Sequence, residues 1–406
     1  MNKKKCVIVG VGGRGTGSYV VPIAKGHLSD VCEMCGIYDA VKARAELCSR
    51  ENGNIPVFDD FEAMLDTVKP DFVIVTTKDS DHHDYIIRSL EKGYDVVSEK
   101  PMTNSRKKAM AILEAEKRTG HKVRVTFNMR YMKPIMDLKR AMMSGTIGEV
   151  KHVDFEWLLD RRHGADYFRR WHRYLDNTNS LLLHKSTHHF DFCNWIIGNK
   201  VPESVFARCT LDFYGKNGPF RGEACHNCEH ASECKYYFDI TKDDFTNKYY
   251  HELREESGYK RDGCIFAEDI DIFDRMALNV RYKDGTTMNY SLIAYAPDEG
   301  CRIRVVGDKG RLDFEYLSSG PKKTDKILIT MIDVDGNITT TETAFELGDH
   351  GGADDRMRDD IFRNPSVDDP LGQIADSFAG YTSLAIGDMA VASSKLGREV
   401  FIDELT

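Results

Sequence analysis

Short apolar, β-branched runs alternate with amphipathic stretches through the first third of the chain. Val7-Ile8-Val9, Met34 to Tyr38, Phe72 to Val75, Asp95 to Ser98 and Val123 to Phe127 read as five strands. Helical patterns fall between them, from about Gly15, from Val41, over Ile86 to Lys92 and over Arg106 to Arg118. This alternation predicts a parallel sheet covered by helices, the doubly wound arrangement, over residues 1–128. Beyond it the pattern changes. Ala207 to Asp212, Ile272 to Arg281, Thr286 to Ala294, Cys301 to Val306 and Lys326 to Asp333 read as strands, several joined by Asp-Gly or Asp-x-x-Gly turns. A helix is expected over Leu371 to Lys395, interrupted at Gly380 and Gly387, and a last strand over Glu399 to Ile402. The expectation is therefore an α/β unit followed by an α+β unit over 129–406, with a tyrosine- and charge-rich insertion at about 213–264.

Composition narrows the function classes. At 406 residues the chain exceeds one ordinary core, which agrees with two domains. Its formal charge of −9 is spread without a basic stripe, so the electrostatic footprint of a nucleic-acid binder is missing. The apolar stretch after Met1 to Lys5 breaks at Gly10, and no later run is long enough to span a bilayer. A cytoplasmic protein without a membrane partner is expected. Eleven cysteines is an odd number, and Cys6, Cys32, Cys35, Cys193 and Cys209 sit singly in apolar segments, as free thiols do.

Chemistry-bearing residues cluster at the predicted strand ends. After the first strand, Gly10-Val11-Gly12-Gly13-Arg14-Gly15 supplies the spaced glycines that allow a tight turn, close approach of a pyrophosphate and close helix packing. Asp39 closes the second strand, where a carboxylate binds ribose hydroxyls and repels a 2′-phosphate. NAD is therefore expected ahead of NADP, although Lys42 and Arg44 lie nearby. After the fourth strand, Glu99-Lys100-Pro101 places a lysine at the carboxyl edge of the sheet, with Glu99 expected to orient its ammonium. A nearby nicotinamide cation would lower the pKa of that lysine toward the range useful for proton transfer.

Leu181 to Asp191 turns from leucines into His184, Lys185, His188, His189 and Asp191. Wound as one helix, His184, His188 and Asp191 share a face with Lys185 beside them. That spacing also admits a metal shared by His184 and His188, but Lys185 would add positive charge beside it. In the insertion, Cys225-x2-Cys228-x5-Cys234 with Cys264 matches a four-thiolate structural zinc, with an iron–sulfur cluster or free thiols as alternatives and His226 and His230 as spare ligands. Gly348 to Asp355 combines backbone freedom with polar groups, as binding loops and flexible turns both do.

Taken together, the glycine turn, Thr77 and His82, Glu99-Lys100-Pro101, Asn128-Met129-Arg130-Tyr131 and the histidine segment resemble the Gfo/Idh/MocA oxidoreductases, named for glucose-fructose oxidoreductase and inositol dehydrogenase. The resemblance covers nearly the whole chain. It implies a Rossmann domain followed by an open, mainly antiparallel sheet whose outer face mediates homo-oligomers, dimers or tetramers. It implies cofactor contacts at Gly10, Gly12, Gly13, Arg14, Gly15, Asp39, Thr77, His82, Glu99 and Asn128. Substrate contacts are implied at Arg130, Tyr131, Trp171, His172 and Asp191, and proton transfer at Lys100 and His188. The family pattern Asp-x-Gly-x-His-x-x-Asp, counted back from Asp191, puts the family histidine on His188 and the family aspartate on His184. His184 with Lys185 is thus a departure that adds two candidate bases. The stretch Arg162 to Arg173 resembles sugar-handling bacterial members.

Three activities fit these residues. The first is NAD-dependent oxidation of a sugar, cyclitol or glycoside hydroxyl. The second is glycoside cleavage with recycled cofactor, in which oxidation to a 3-keto sugar acidifies the neighbouring carbon and permits elimination. The third is non-catalytic sensing of dinucleotide and sugar, against which the density of titratable groups argues.

Overall fold

The computed structural model describes residues 3–324, 326–363 and 368–404. Five strands, β1 (Lys4–Val9), β2 (Cys32–Tyr38), β3 (Phe72–Val75), β4 (Asp95–Ser98) and β5 (Val123–Val125), form a parallel sheet in the order β2-β1-β3-β4-β5. Val7, Ile8, Val73, Ile74 and Val75 are fully buried because helices cover both faces, which is why these strands read as continuous apolar runs. The order reverses between β1 and β3. A crevice opens there at the carboxyl ends of the strands, where such sheets bind ligands.

The second sheet has nine strands: β6 (Val150–Asp160), β7 (Pro202–Thr210), β8 (Arg275–Tyr282), β9 (Thr287–Ala296), β10 (Gly300–Gly307), β11 (Gly310–Leu317), β12 (Ile327–Asp333), β13 (Ile338–Thr343) and β14 (Val400–Phe401). Their order is β13-β12-β11-β10-β6-β9-β8-β7-β14, and only the β6–β9 pair is parallel. Alternation is strict in β8, where Met276, Leu278, Val280 and Tyr282 are buried and Arg275, Ala277, Asn279 and Arg281 exposed. The buried face packs on the helices Thr187–Ile196 and Ser377–Leu396. The other face carries an open concavity of about 1140 Å³ with Asp154, Glu156, Arg302, Arg304, Asp313 and Glu315 in its lining.

Helix Ser377–Leu396 is continuous, contrary to the interruption expected at Gly380 and Gly387. A Cβ on Gly387 would lie 2.6 Å from the Leu182 carbonyl oxygen, and one on Gly380 3.0 Å from Met102 Sδ. These glycines mark close packing against the histidine segment and the first sheet, at a propensity cost of about 1 kcal/mol each. Among the described residues no helix is long and apolar enough to cross a membrane.

Candidate active site

The glycine turn follows β1 in the crevice. Gly10 has φ +90°, and a Cβ on it would lie 2.8 Å from the Thr76 carbonyl oxygen, while one on Gly15 would lie 2.1 Å from the Gly10 carbonyl oxygen. The turn and the helix leaving it can close this tightly only without side chains. Asp39 is buried beneath them and accepts four hydrogen bonds: Val11 N–H (2.8 Å) and Arg44 Nε (3.1 Å) on Oδ2, Val41 N–H (2.8 Å) and Arg44 Nη2 (2.7 Å) on Oδ1. Gly13 N–H, at the helix start, donates to the Tyr250 hydroxyl at 2.8 Å. These features suit a dinucleotide: a donor-bearing turn with no room for a side chain at Gly10 or Gly15, and a carboxylate at the end of the neighbouring strand.

Several predicted cofactor residues tie the loops around this turn together. Arg14 donates to Glu99 Oε1 (2.7 Å) and, through both terminal nitrogens, to Asp354 (2.9 and 3.1 Å). Asn128 Nδ2 donates to the same carboxylate at 2.7 Å. Burial alone would raise the Asp354 carboxyl, but His350 and Arg14 hold it far below the ordinary value. Glu99 does not hold the Lys100 ammonium as expected. Its carboxylate accepts from Arg14, the Tyr19 hydroxyl (2.7 Å) and the Lys100 backbone N–H (3.2 Å). His82 is buried, its ring nitrogens 2.9 and 3.1 Å from the Pro101 and Thr77 carbonyl oxygens, so it braces two loops instead of pointing outward. Thr77 is half-buried at the end of β3.

Across the crevice, the histidine segment is two helices rather than one. Leu181–His184 ends at Lys185-Ser186, and Thr187–Ile196 begins anew. His188 N–H bonds the Lys185 carbonyl (3.3 Å), and the His184 carbonyl accepts from Lys100 Nζ at 3.1 Å. The break changes which groups meet. Lys100, Lys185, His188 and Trp171 are half-buried, whereas Asp79, His172 and His184 lie buried with them. Asp79 Oδ2 stands 2.6 Å from His184 Nδ1, the His172 and His184 ring centroids are 4.0 Å apart, and Arg170 reaches His172 Nε2 at 3.4 Å. Lys185 Nζ lies 4.9 Å over the Trp157 ring, which stacks on His189. The Trp171 ring packs on His172. His188 Nδ1 has no partner among the described residues.

Enclosure sets the protonation states. It pushes the Lys100 ammonium down to about 8, against Asp79 and Glu99, which raise it, and with Lys185, which lowers it further. The Asp79 carboxyl is pushed up to about 7 by burial, against the nearby His82, Lys100 and Arg170. Burial drives His184 and His188 well below the usual histidine value, reinforced by Lys100, and lowers Lys185 as well. The cluster therefore holds neutral imidazoles, a lysine near its titration point and one carboxylate, a set able to take and return protons near neutrality.

Other predicted residues are placed elsewhere. Asp191 does not share a face with His184. Its two oxygens accept from Arg130 Nε (2.8 Å) and Nη2 (2.6 Å), and both residues are buried. Arg130 also donates to the Gly372 carbonyl, and the Tyr131 hydroxyl donates to Asp360 at 2.6 Å. These three brace the scaffold behind the cluster. Among the described residues no three His, Cys, Asp or Glu side chains are grouped to hold a metal ion, so the His184–His188 metal face is not formed. Cys225, Cys228, Cys234 and Cys264 nevertheless line one small cavity, all as free thiols, and Arg169 Nη1 lies 3.1 Å from Cys225 Sγ.

Two functional groups escape the sequence reading. Asp79 sets a carboxylate 2.6 Å from His184 Nδ1, and its only sequence signal is an acidic residue two places after Thr77. Asp354 lies in the first turn of the helix Ala353–Arg358 that follows the Gly348 to Gly352 stretch, with nothing local in the sequence to single it out from Asp349 or Asp355.

Comparison with known proteins agrees with this layout. Residues 4–127 match an oxidoreductase family with an NAD-binding Rossmann fold, and residues 139–402 match its C-terminal alpha/beta domain. The Bacillus subtilis protein YteT is 34% identical over 414 residues, which covers 95% of this chain and 94% of YteT. The D-glucoside 3-dehydrogenase of Escherichia coli is 28% identical over 131 residues, 31% of this chain and 37% of its own. The crystal structure of an oxidoreductase from Agrobacterium radiobacter in complex with NAD+, L-tartaric acid and magnesium shares the fold at a TM-score of 0.69 and 16% identity, covering 100% of both chains. With both halves matched and one relative aligned almost end to end, the chain belongs to the Gfo/Idh/MocA family of NAD-binding oxidoreductases.

Proposed function

We propose that this protein is an NAD-dependent oxidoreductase acting on a hydroxyl of a sugar, cyclitol or glycoside. The observation that carries the reading is Lys100: half-buried at the carboxyl edge of the Rossmann sheet, lowered to about 8, and tethered by Nζ to the His184 carbonyl opposite. When bound, the nicotinamide supplies a hydride acceptor. Neutral Lys100 takes the hydroxyl proton as the carbinol carbon gives up its hydride, and half-buried His188 across the crevice holds that hydroxyl in line. NAD is favoured over NADP because Asp39 engages Arg44 with both oxygens, and Glu256 accepts the Ala43 N–H (3.2 Å) just beyond it. A 2′-phosphate there would meet two carboxylates and an arginine already paired. The test is NADH absorbance on incubation with NAD and a panel of glycosides and cyclitols. Failure to bind any nicotinamide nucleotide would overturn the assignment.

The Asp79–His184 pair and Lys185 favour a second reading, glycoside cleavage with recycled cofactor. Once a ring hydroxyl has become a ketone, the proton on the carbon between it and the anomeric centre passes to Lys185. The anomeric substituent would then leave with the bonding pair and take a proton from the Asp79–His184 pair. Addition of water to the double bond would take the carbon proton back from Lys185 and return a proton to the Asp79–His184 pair, and on re-reduction of the ketone by the bound cofactor Lys100 would give the hydroxyl its proton back. The D-glucoside 3-dehydrogenase similarity supports the first half of this sequence. Aglycone release with solvent deuterium in the sugar and no net NADH would identify it. Cys225, Cys228, Cys234 and Cys264 line one cavity, but no three of them are grouped closely enough to hold a metal ion, so the structural zinc expected of them does not fit this geometry.

A further inference from the structure

The segment between β7 and β8 is far longer than a hairpin needs, and it does not stay on its own sheet. Tyr249 is buried in the core of the first domain beside Val11, Tyr19 and Cys48, and its hydroxyl bonds Glu51 Oε2 at 3.0 Å. Phe245 stacks on Tyr249 at 4.1 Å. From that anchor the next residue, Tyr250, places its hydroxyl 2.8 Å from Gly13 N and 3.2 Å from where a Cβ on Gly12 would stand. Farther along, the Tyr259 hydroxyl accepts the Trp171 N–H (3.4 Å), and Arg261 pairs with Asp166 (2.8 Å). The segment thus crosses from the Trp171 wall of the proton-transfer cluster to the glycine turn.

We propose that this segment is a strap that retains the dinucleotide, with the Tyr250 hydroxyl as a ligand of its pyrophosphate. The inference rests on the nucleotide site of the proposed function and adds a group from the second domain to it. A phenol both donates and accepts. In this structure it accepts the Gly13 N–H, one of the unpaired donors at the start of a helix that an anionic phosphate seeks. With a phosphate on that N–H, the phenol turns its own O–H onto a phosphate oxygen, and burial of Tyr249 keeps it within reach. Because the strap is fixed at the Tyr249 core and at Trp171, releasing the cofactor requires it to lift, so exchange is slow relative to binding.

The test follows NADH fluorescence in the full-length protein, measuring equilibrium affinity and the rate of displacement by excess NAD. Losing a hydrogen bond to a charged oxygen should make Tyr250→Phe release NADH about ten- to a hundredfold faster and bind it correspondingly more weakly. Tyr237→Phe, on an exposed part of the same insertion, should match the wild type. Equal release rates for Tyr250→Phe and wild type would overturn the strap. Tighter binding by Tyr250→Phe would overturn it too, since the phenol would then be competing with the phosphate. If the wild type binds no nicotinamide nucleotide, the proposed function fails first, a result distinct from both.

Discussion

Asp79→Asn removes one charge from the proton-transfer cluster and almost nothing else, because the amide keeps the shape of the carboxylate and can still accept from His184. The contact it weakens is short, 2.6 Å between Asp79 Oδ2 and His184 Nδ1, and buried. A charge-assisted hydrogen bond of this kind is worth about 1.5–3 kcal/mol, so kcat/KM should fall about ten- to a hundredfold. A second effect separates proton handling from mere architecture. Asp79 is the foremost charge holding the Lys100 ammonium up, against the enclosure that brings it to about 8. Without it, the rise of kcat/KM with pH should move toward acid by about one pH unit. Stability should move the other way. The folded state keeps the Asp79 proton up to about pH 7, whereas the unfolded chain loses it in the ordinary carboxylate range, so ionisation of this group costs stability as pH rises between the two. The neutral variant should melt at least as high as the wild type above pH 7. Initial rates of NADH formation across pH, with melting curves on the same samples, measure all three. An unshifted pH profile, whatever the rate, would refute a role for Asp79 in the protonation of Lys100.

Lys100→Met should abolish turnover while NADH still binds within a few-fold of the wild type, as read by rates and fluorescence titration. Gly15→Ala pushes a methyl group to 2.1 Å from the Gly10 carbonyl oxygen, so it should lower the melting temperature and eliminate nucleotide binding together.

Much of this architecture is legible along the chain because the burial pattern and the apolar pattern coincide. β3 coincides with its apolar run, Phe72–Val75, and β4 with the expected Asp95–Ser98 around Val96 and Val97. β6 is not in the strand reading although it is central, since His152, Asp154 and Glu156 interrupt the apolar positions and only one face, with Val153, Phe155 and Trp157, is buried. β13 carries almost no apolar signal: of Ile338–Thr343 only Thr343 is buried, and backbone pairing to β12 makes the strand. In the candidate site, Lys100 and the glycine turn are readable because each sits at a strand end. The geometry of His184, Asp191 and Arg130 is not, because a helical period of 3.6 says nothing of where tertiary contacts stop the helix. Here Lys100 takes the His184 carbonyl and the Tyr290 hydroxyl donates to Ser186, and neither partner is near in sequence.

That interruption frees position 184 from a double duty. In an unbroken helix the carbonyl there would be occupied by the amide of His188, and a lysine on the far side would need a side chain to hold it. Here a main-chain oxygen does so, and no substitution at 184 can remove it. The side chain is left free to partner Asp79 while its ring packs on His172, so a charge at one of the two positions is felt directly at the other. An aspartate at 184 becomes tolerable only when position 79 gives up its own, and an engineer restoring the family residue would have to change both.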